Sequence, residues 1–283
     1  MTSFLAINWN PDPELISWGF LHIRYYGLFF VGAFVASYYV TLHVFKCEKV
    51  PAPLLEKLTI TIAIATLIGA RLGHCLFYDA DYFFAHPLEI ILPVKFEPFR
   101  FIGYQGLASH GAAIGILVGI WYWCRKHKKS YLWLLDRIGI VAALSGMMIR
   151  LGNLMNSEIY GGQTNLPWGF VFKQSGETLP HHPTQLYEAL SYLVIFCLLF
   201  FLYKKKAQKL NRGFLFGLFL VLLFTARFFI EFIKNPQELF EADMLLNMGQ
   251  LLSLPFIIAG ALLLWWSFRK KTNFFLQTKN VKR

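Results

Sequence analysis

The sequence predicts an all-α integral membrane protein with seven transmembrane helices, N-terminus outside and C-terminus cytoplasmic, joined by irregular or amphipathic non-cytoplasmic segments. Three observations carry this reading. Of 283 residues, 56% are hydrophobic and 15% charged, with 29 Phe, 13 Tyr and 8 Trp, and the mean hydropathy is +0.48; a water-facing surface does not have this composition, nor does a disordered chain. Seven windows reach the roughly 20 apolar residues that a helix needs to cross a hydrocarbon core of about 30 Å. The basic residues, finally, sort into alternate connecting segments.

In chain order the windows run approximately from Trp18 to Val44, Leu54 to Phe77, Gly106 to Cys124, Leu132 to Ile149, Leu186 to Tyr203, Phe214 to Ile233 and Met248 to Phe268. Asp12 and Glu14 precede the first, where a cleavable signal would carry basic residues, and its apolar run is too long for one, so it is expected to persist. With no repeat and no boundary in composition, residues 1–283 read as a single polytopic membrane domain, with a basic tail from about 269. Lys46 and Lys49, Arg125 to Lys129, Lys204 to Arg212 and Arg269 to Arg283 mark the inside segments. The alternate segments hold Lys95, Arg100, Lys173 and Lys234 among many acidic residues. The net charge of +11 therefore reflects orientation and anionic headgroups, and requires no nucleic acid. Cys47, Cys75, Cys124 and Cys197 have no metal-site spacing and are expected to be packing residues; no metal and no cofactor is implied.

Arg24, Lys57, Arg71, Arg137, Arg150 and Arg227 fall inside or at the edge of spans, where a charge costs a few kcal/mol and calls for a partner. Snorkelling to the inside surface accounts for Lys57 and Arg137. Arg227 has Glu231 four residues later on the same helical face, either a structural pair or part of an anion site. Arg150 opens RLGNLMNSEIYGG, where Gly152, Gly161 and Gly162 permit tight turns and Asn153, Asn156 and Glu158 are polar groups beside a membrane; such backbone is tolerated only inside protein or along a wet cavity. His110 enters an apolar helix among Gly106, Gly111 and Gly115, as a packing residue or as an embedded base. HHPTQLYE adds His182, Gln185, Tyr187 and Glu188. Together these groups describe a cavity suited to an anionic lipid headgroup.

At these residues the chain resembles the bacterial prolipoprotein diacylglyceryl transferases. Arg150 to Gly161 looks like the family's signature segment, and IRYYG, GARLGHCLFYD, SHGAAIG, HPTQLYEA, RFFIEF and MGQLLSLP follow the family's order over roughly residues 18 to 260. The resemblance implies transfer of diacylglyceryl from phosphatidylglycerol to the lipobox cysteine of a preprolipoprotein signal peptide, at the bacterial plasma membrane or the inner membrane of a Gram-negative cell. It implies Tyr26, His110, Arg227 and Glu231 as catalytic residues, and Arg150, Asn153, Glu158 and Gly161 as phosphatidylglycerol contacts. Leu223 stands where the family often has Tyr, which removes a phenol from that turn. The chemistry agrees: a thiol with pKa near 8.5 must become a thiolate, and a phosphodiester must leave with more charge. Arg150 would grip the phosphate, Arg227 held by Glu231 would stabilise the leaving group, and His110 would take the thiol proton unless the arginines alone lower its pKa. An anion or lipid transporter is the competing reading, without an evident inverted repeat; a purely structural ion pair is the other.

Overall fold

The computed structural model describes residues 6–18, 21–78, 80–92, 94–96, 99–101, 106, 108–206, 209–235 and 244–270. Strands β1 (Ile7–Trp9), β2 (Glu14–Trp18) and β3 (Leu21–Arg24) precede helices α1 (Tyr25–Cys47), α2 (Ala52–Phe77), α3 (Ala80–Ala85) and α4 (Leu88–Ile91). Strands β4 (Val94–Phe96) and β5 (Phe99–Phe101) follow, then α5 (Ser109–Lys126), α6 (Tyr131–Met155), β6 (Phe170–Phe172), α7 (Thr184–Lys206), α8 (Phe214–Ile230), a 3₁₀ turn at Glu231–Ile233, and α9 (Met248–Arg269). The backbone gathers into two compact units, Met1–Val44 with Leu135–Arg283, and Phe45–Leu134.

Among the described residues six helices are long and apolar enough to cross a membrane: α1, α2, α6, α7, α8 with its 3₁₀ turn, and α9. The expected third span forms as α5, but its 18 residues reach only about 27 Å, and Ser109, His110, three glycines, Arg125 and Lys126 dilute its hydropathy. The first window also starts later than expected. Trp18 and Leu21–Arg24 belong to the antiparallel β2–β3 pair, so Arg24 lies outside the helix, exposed and 3.7 Å from Glu14.

In the 45–134 unit, α2 and α5 cross where both carry glycine one turn apart. A Cβ built on Gly73 would come 2.7 Å from the Gly111 Cα, so backbone packs on backbone. Arg71 is buried on α2 and faces protein: it donates to the carbonyls of Glu89 at 2.6 Å and Ile90 at 3.2 Å, with its guanidinium 4.8 Å from the Phe83 ring. The Glu89 carboxylate in turn accepts from the Tyr82 hydroxyl and the Phe96 amide.

In the other unit β1 pairs in parallel with β6, and the Trp9 indole donates 2.9 Å to the Leu154 carbonyl. Asp136 accepts from the amides of Gly213 at 2.8 Å and Phe216 at 3.0 Å, satisfying donors that the first turn of α8 leaves open. Arg137 lies 3.9 Å from Asp136 with both side chains wholly buried, so it does not snorkel as its position near a helix end suggested. A reciprocal capping box between Asn247 and Gln250 starts α9. Of the four cysteines, Cys75 and Cys124 are buried, Cys47 and Cys197 exposed.

Candidate functional site

The site grows out of the end of α6. Helical backbone persists to Met155, so Gly152 makes no turn; it lets the Tyr26 ring pack against the helix, where an added Cβ would come 2.9 Å from Tyr26 Cδ2. Past the helix, Ser157 and Ile159 have φ of 52° and 62°, and a β-branched residue in that left-handed region costs on the order of 1–3 kcal/mol. The strand-like exit is held by α7: Gln185 Nε2 donates 2.7 Å to the Glu158 carbonyl and Thr184 Oγ1 donates 2.9 Å to that of Ile159, both donors wholly buried. Gly161 then donates 2.9 Å to the His182 carbonyl and pairs with Lys234, while Gly162 donates to the Ile233 carbonyl. A Cβ on Gly161 would collide with the Ile233 carbonyl oxygen and the side chains of Thr184 and His182, so the turn requires glycine.

These contacts converge on a buried ionic cluster. Arg150 Nε stands 3.0 Å from Glu188 Oε2, an ion-pair contact rather than an aligned hydrogen bond, and its Nη1 donates 3.3 Å to Asn153 Oδ1. Asn153 passes the link on, donating 2.8 Å to Glu158 Oε1, which also accepts from Asn156. Tyr192 lies within electrostatic range of Arg150 and Arg227. Tyr26 is likewise within range of Arg150 and Glu158. Lys234 Nζ lies 3.2 Å from both Glu188 Oε1 and Glu231 Oε2. Arg227 Nε is buried with no hydrogen-bond partner among the described residues.

Of the residues expected from the sequence, one unit thus brings together Tyr26, Arg150, Asn153, Glu158, Gly161, Arg227 and Glu231. His110 lies in the first turn of α5, in the 45–134 unit, with an exposed side chain. One pairing is corrected: among the described residues Glu231 pairs with Lys234 rather than Arg227, the 3₁₀ turn at Glu231–Ile233 bringing position 234 back onto the carboxylate. Lys234, read from the sequence as a loop cation, is therefore a member of the cluster, as are Glu188 and Tyr192. The spacing of Arg227, Glu231 and Lys234 at i, i+4 and i+7 was the available signal.

Behind the Gly161 turn, Glu177 accepts from the Tyr160 hydroxyl at 2.7 Å and stands 3.0 Å from His181 Nε2, while His181 Nδ1 lies 2.8 Å from the Gly161 carbonyl. Burial, followed by the bond to Glu177, pushes the Tyr160 phenol up to about 12. Burial and the neighbouring His181 lower the proton affinity of His182.

Fold and site define a multi-pass helical membrane protein with three cations and three carboxylates in one cluster: Arg150, Arg227 and Lys234 with Glu158, Glu188 and Glu231, of which Lys234, Glu188 and Glu231 are buried. Residues 13–266 match the family model described as prolipoprotein diacylglyceryl transferase. A phosphatidylglycerol–prolipoprotein diacylglyceryl transferase of Bacteroides fragilis is 46% identical over 271 residues, which cover 95% of this chain and 98% of the relative. Those of Tolumonas auensis (46% over 264 residues, 93% and 98%) and Chloroherpeton thalassium (42% over 265 residues, 93% and 95%) are similar over comparable lengths. The chain belongs to the prolipoprotein diacylglyceryl transferase family.

Proposed function

We infer that this chain transfers the diacylglyceryl group of phosphatidylglycerol to the lipobox cysteine thiol of a preprolipoprotein signal peptide. A sulfur–carbon bond forms at the glycerol carbon, the carbon–oxygen bond to the phosphate breaks, and glycerol phosphate leaves with the electron pair. The observation that carries this reading is the Arg150–Asn153–Glu158 relay within the matched family segment, beside an Arg227 guanidinium whose Nε is unpaired among the described residues. A guanidinium in a dry site is suited to a phosphate whose charge grows as it leaves. His110 is proposed to accept the thiol proton, and Tyr26, packed on Gly152, to align the polar relay.

The finer topology belongs to the same proposal. Lys46 and Lys49 lie at the C-terminal end of α1, and Arg125 to Lys129 at that of α5; both groups lie inside only if α5 crosses as a seventh span, which puts the N-terminus outside. Residence in the bacterial plasma membrane, the inner membrane of a Gram-negative cell, follows from that arrangement and the lipid substrate.

The test is mass spectrometry of a lipobox peptide incubated with the purified protein and phosphatidylglycerol. The peptide is expected to gain one diacylglyceryl group on sulfur, with release of an equal amount of glycerol phosphate. A transporter or a purely structural protein would leave the peptide mass unchanged, and that outcome would end the transferase reading.

A further inference from the structure

The Lys234 side chain is 1% exposed, and its ammonium divides its donors between Glu188 and Glu231, 3.2 Å from each. Both carboxylates have an arginine as an alternative partner. Glu188 already meets Arg150 through its other oxygen at 3.0 Å, and Glu231 begins one helical turn after Arg227. Yet Arg227 Nε makes no hydrogen bond among the described residues, although it is buried. A buried carboxylate takes the nearest cation, because leaving either ion unpaired is costly. Among the described residues Glu231 has its ion pair with Lys234, through Oε2, and none with Arg227.

The backbone explains how Lys234 is aimed. Its amide donates 3.3 Å to the Glu231 carbonyl, and its segment pairs with Gly161 while Ile233 accepts from the Gly162 amide. Glu231 is fixed from the other side: its carboxyl group packs on Gly249, where an added Cβ would come 2.5 Å from Glu231 Cδ, and its carbonyl accepts 3.2 Å from Asn247 Nδ2. The signature turn and the start of α9 thus hold ammonium and carboxylate together.

We propose that Lys234 is a positioning residue: by occupying Glu231 and sharing Glu188 with Arg150, it keeps the Arg227 guanidinium free for the phosphate of phosphatidylglycerol. This rests on the headgroup reading of the cluster. Lys234 need not touch substrate; its work is to set which cation each carboxylate holds. Removing it frees Glu231 to capture Arg227, and the site loses the donor that the lipid phosphate needs.

The experiment measures phosphatidylglycerol binding by purified protein in phosphatidylcholine nanodiscs containing increasing phosphatidylglycerol. Lys234→Met is expected to weaken binding roughly tenfold, the scale of one lost charge-assisted hydrogen bond. Lys234→Arg keeps a cation between the two carboxylates and should bind nearly as wild type. Decisively, adding Glu231→Gln to Lys234→Met should recover most of the loss, since an amide does not capture Arg227 as a carboxylate does. A lysine that served only packing would show no such rescue. Binding of Lys234→Met at wild-type strength, or a double variant no tighter than the single one, would overturn the proposal. If Lys234→Met does not fold, the double variant, which strands no carboxylate at position 231, decides by itself: near-wild-type binding supports the proposal and weak binding overturns it. Peptide modification is scored separately. A wild type that binds the lipid but makes no thioether refutes the transferase reading, while the binding series still judges Lys234.

Discussion

Arg150 meets Glu188 through Nε at 3.0 Å and Asn153 through Nη1 at 3.3 Å, so one planar group makes contacts in two directions from the last turns of α6. An ammonium has no such fork. Arg150→Lys is expected to lower diacylglyceryl transfer by about 100-fold, the scale of losing a preorganised charge donor, while the protein still inserts and melts cooperatively. Arg227→Ala should have a comparable effect. Normal turnover by either variant, measured as thioether formed per folded protein, would remove the headgroup clamp.

Gly161→Ala places a methyl group against the Ile233 carbonyl and the side chains of Thr184 and His182. The turn cannot yield easily, since it is hydrogen-bonded to His182, His181 and Lys234's segment. A cost of about 1–3 kcal/mol is expected, with a lowered Tm and a larger fractional loss of activity than of folded protein. A thermal melt beside a transfer assay separates the two effects. Gly176, which has no neighbour within 4 Å of a built Cβ but has φ of 78°, is the control: its alanine variant should lose stability through backbone strain while keeping turnover per folded molecule.

His110 is exposed in the first turn of α5, and its proposed role is testable through pH. If it removes the thiol proton, His110→Gln should be slow near neutrality and regain activity as rising pH ionises the thiol directly. An unchanged pH profile with uniformly reduced rate would assign it to hydrogen bonding instead.

Asp136 is wholly buried, accepts from two amides at the start of α8 and faces Arg137. Asp136→Ala removes the buried acceptor of two helix-start amides and the carboxylate beside Arg137, so about 3–5 kcal/mol of stability should be lost. Asp136→Asn, which keeps an acceptor for those amides, should be milder, a comparison made by denaturant or thermal unfolding.

His182 is held neutral by burial, with His181 as the second cause, so its folded proton affinity lies below the ordinary value of 6.5. The stabilisation is present above that value and is lost as pH falls through the lowered one. Between about pH 7.5 and pH 5 the wild-type Tm should therefore fall, and His182→Asn should show a shallower fall. Equal slopes would assign the acid sensitivity to other groups.

The sequence made the apolar helices legible because length and hydropathy decide them, and the signature segment because polar residues are rare at that depth. It misplaced the start of α1, since Ile16, Trp18 and Ile23 extend an apolar run that the β2–β3 hairpin actually uses. It misassigned Arg137 because distance from a helix end says nothing about which face carries the residue, and Lys234 because loop membership hid a tertiary partnership with Glu188. Arg227 and Glu231 were found as individual residues, but not the allocation of partners. That allocation depends on the 3₁₀ turn at Glu231 and on a carboxylate 43 positions away at Glu188, which periodicity within one helix does not report.

Trp9 bonds to the carbonyl of Leu154, and its strand to Phe170–Phe172, across a separation of 145 residues for the hydrogen bond alone. At ribosomal rates that gap lasts on the order of ten seconds, during which the N-terminal strand has been made and its mate has not. Lys234 is synthesised later still, so the ionic cluster is completed only after α8 has been made. The charges assemble last, after most of the apolar helices exist to shelter them, and a truncated chain that stops inside the 3₁₀ turn at Glu231–Ile233 would hold Arg150 and Arg227 without their arbiter.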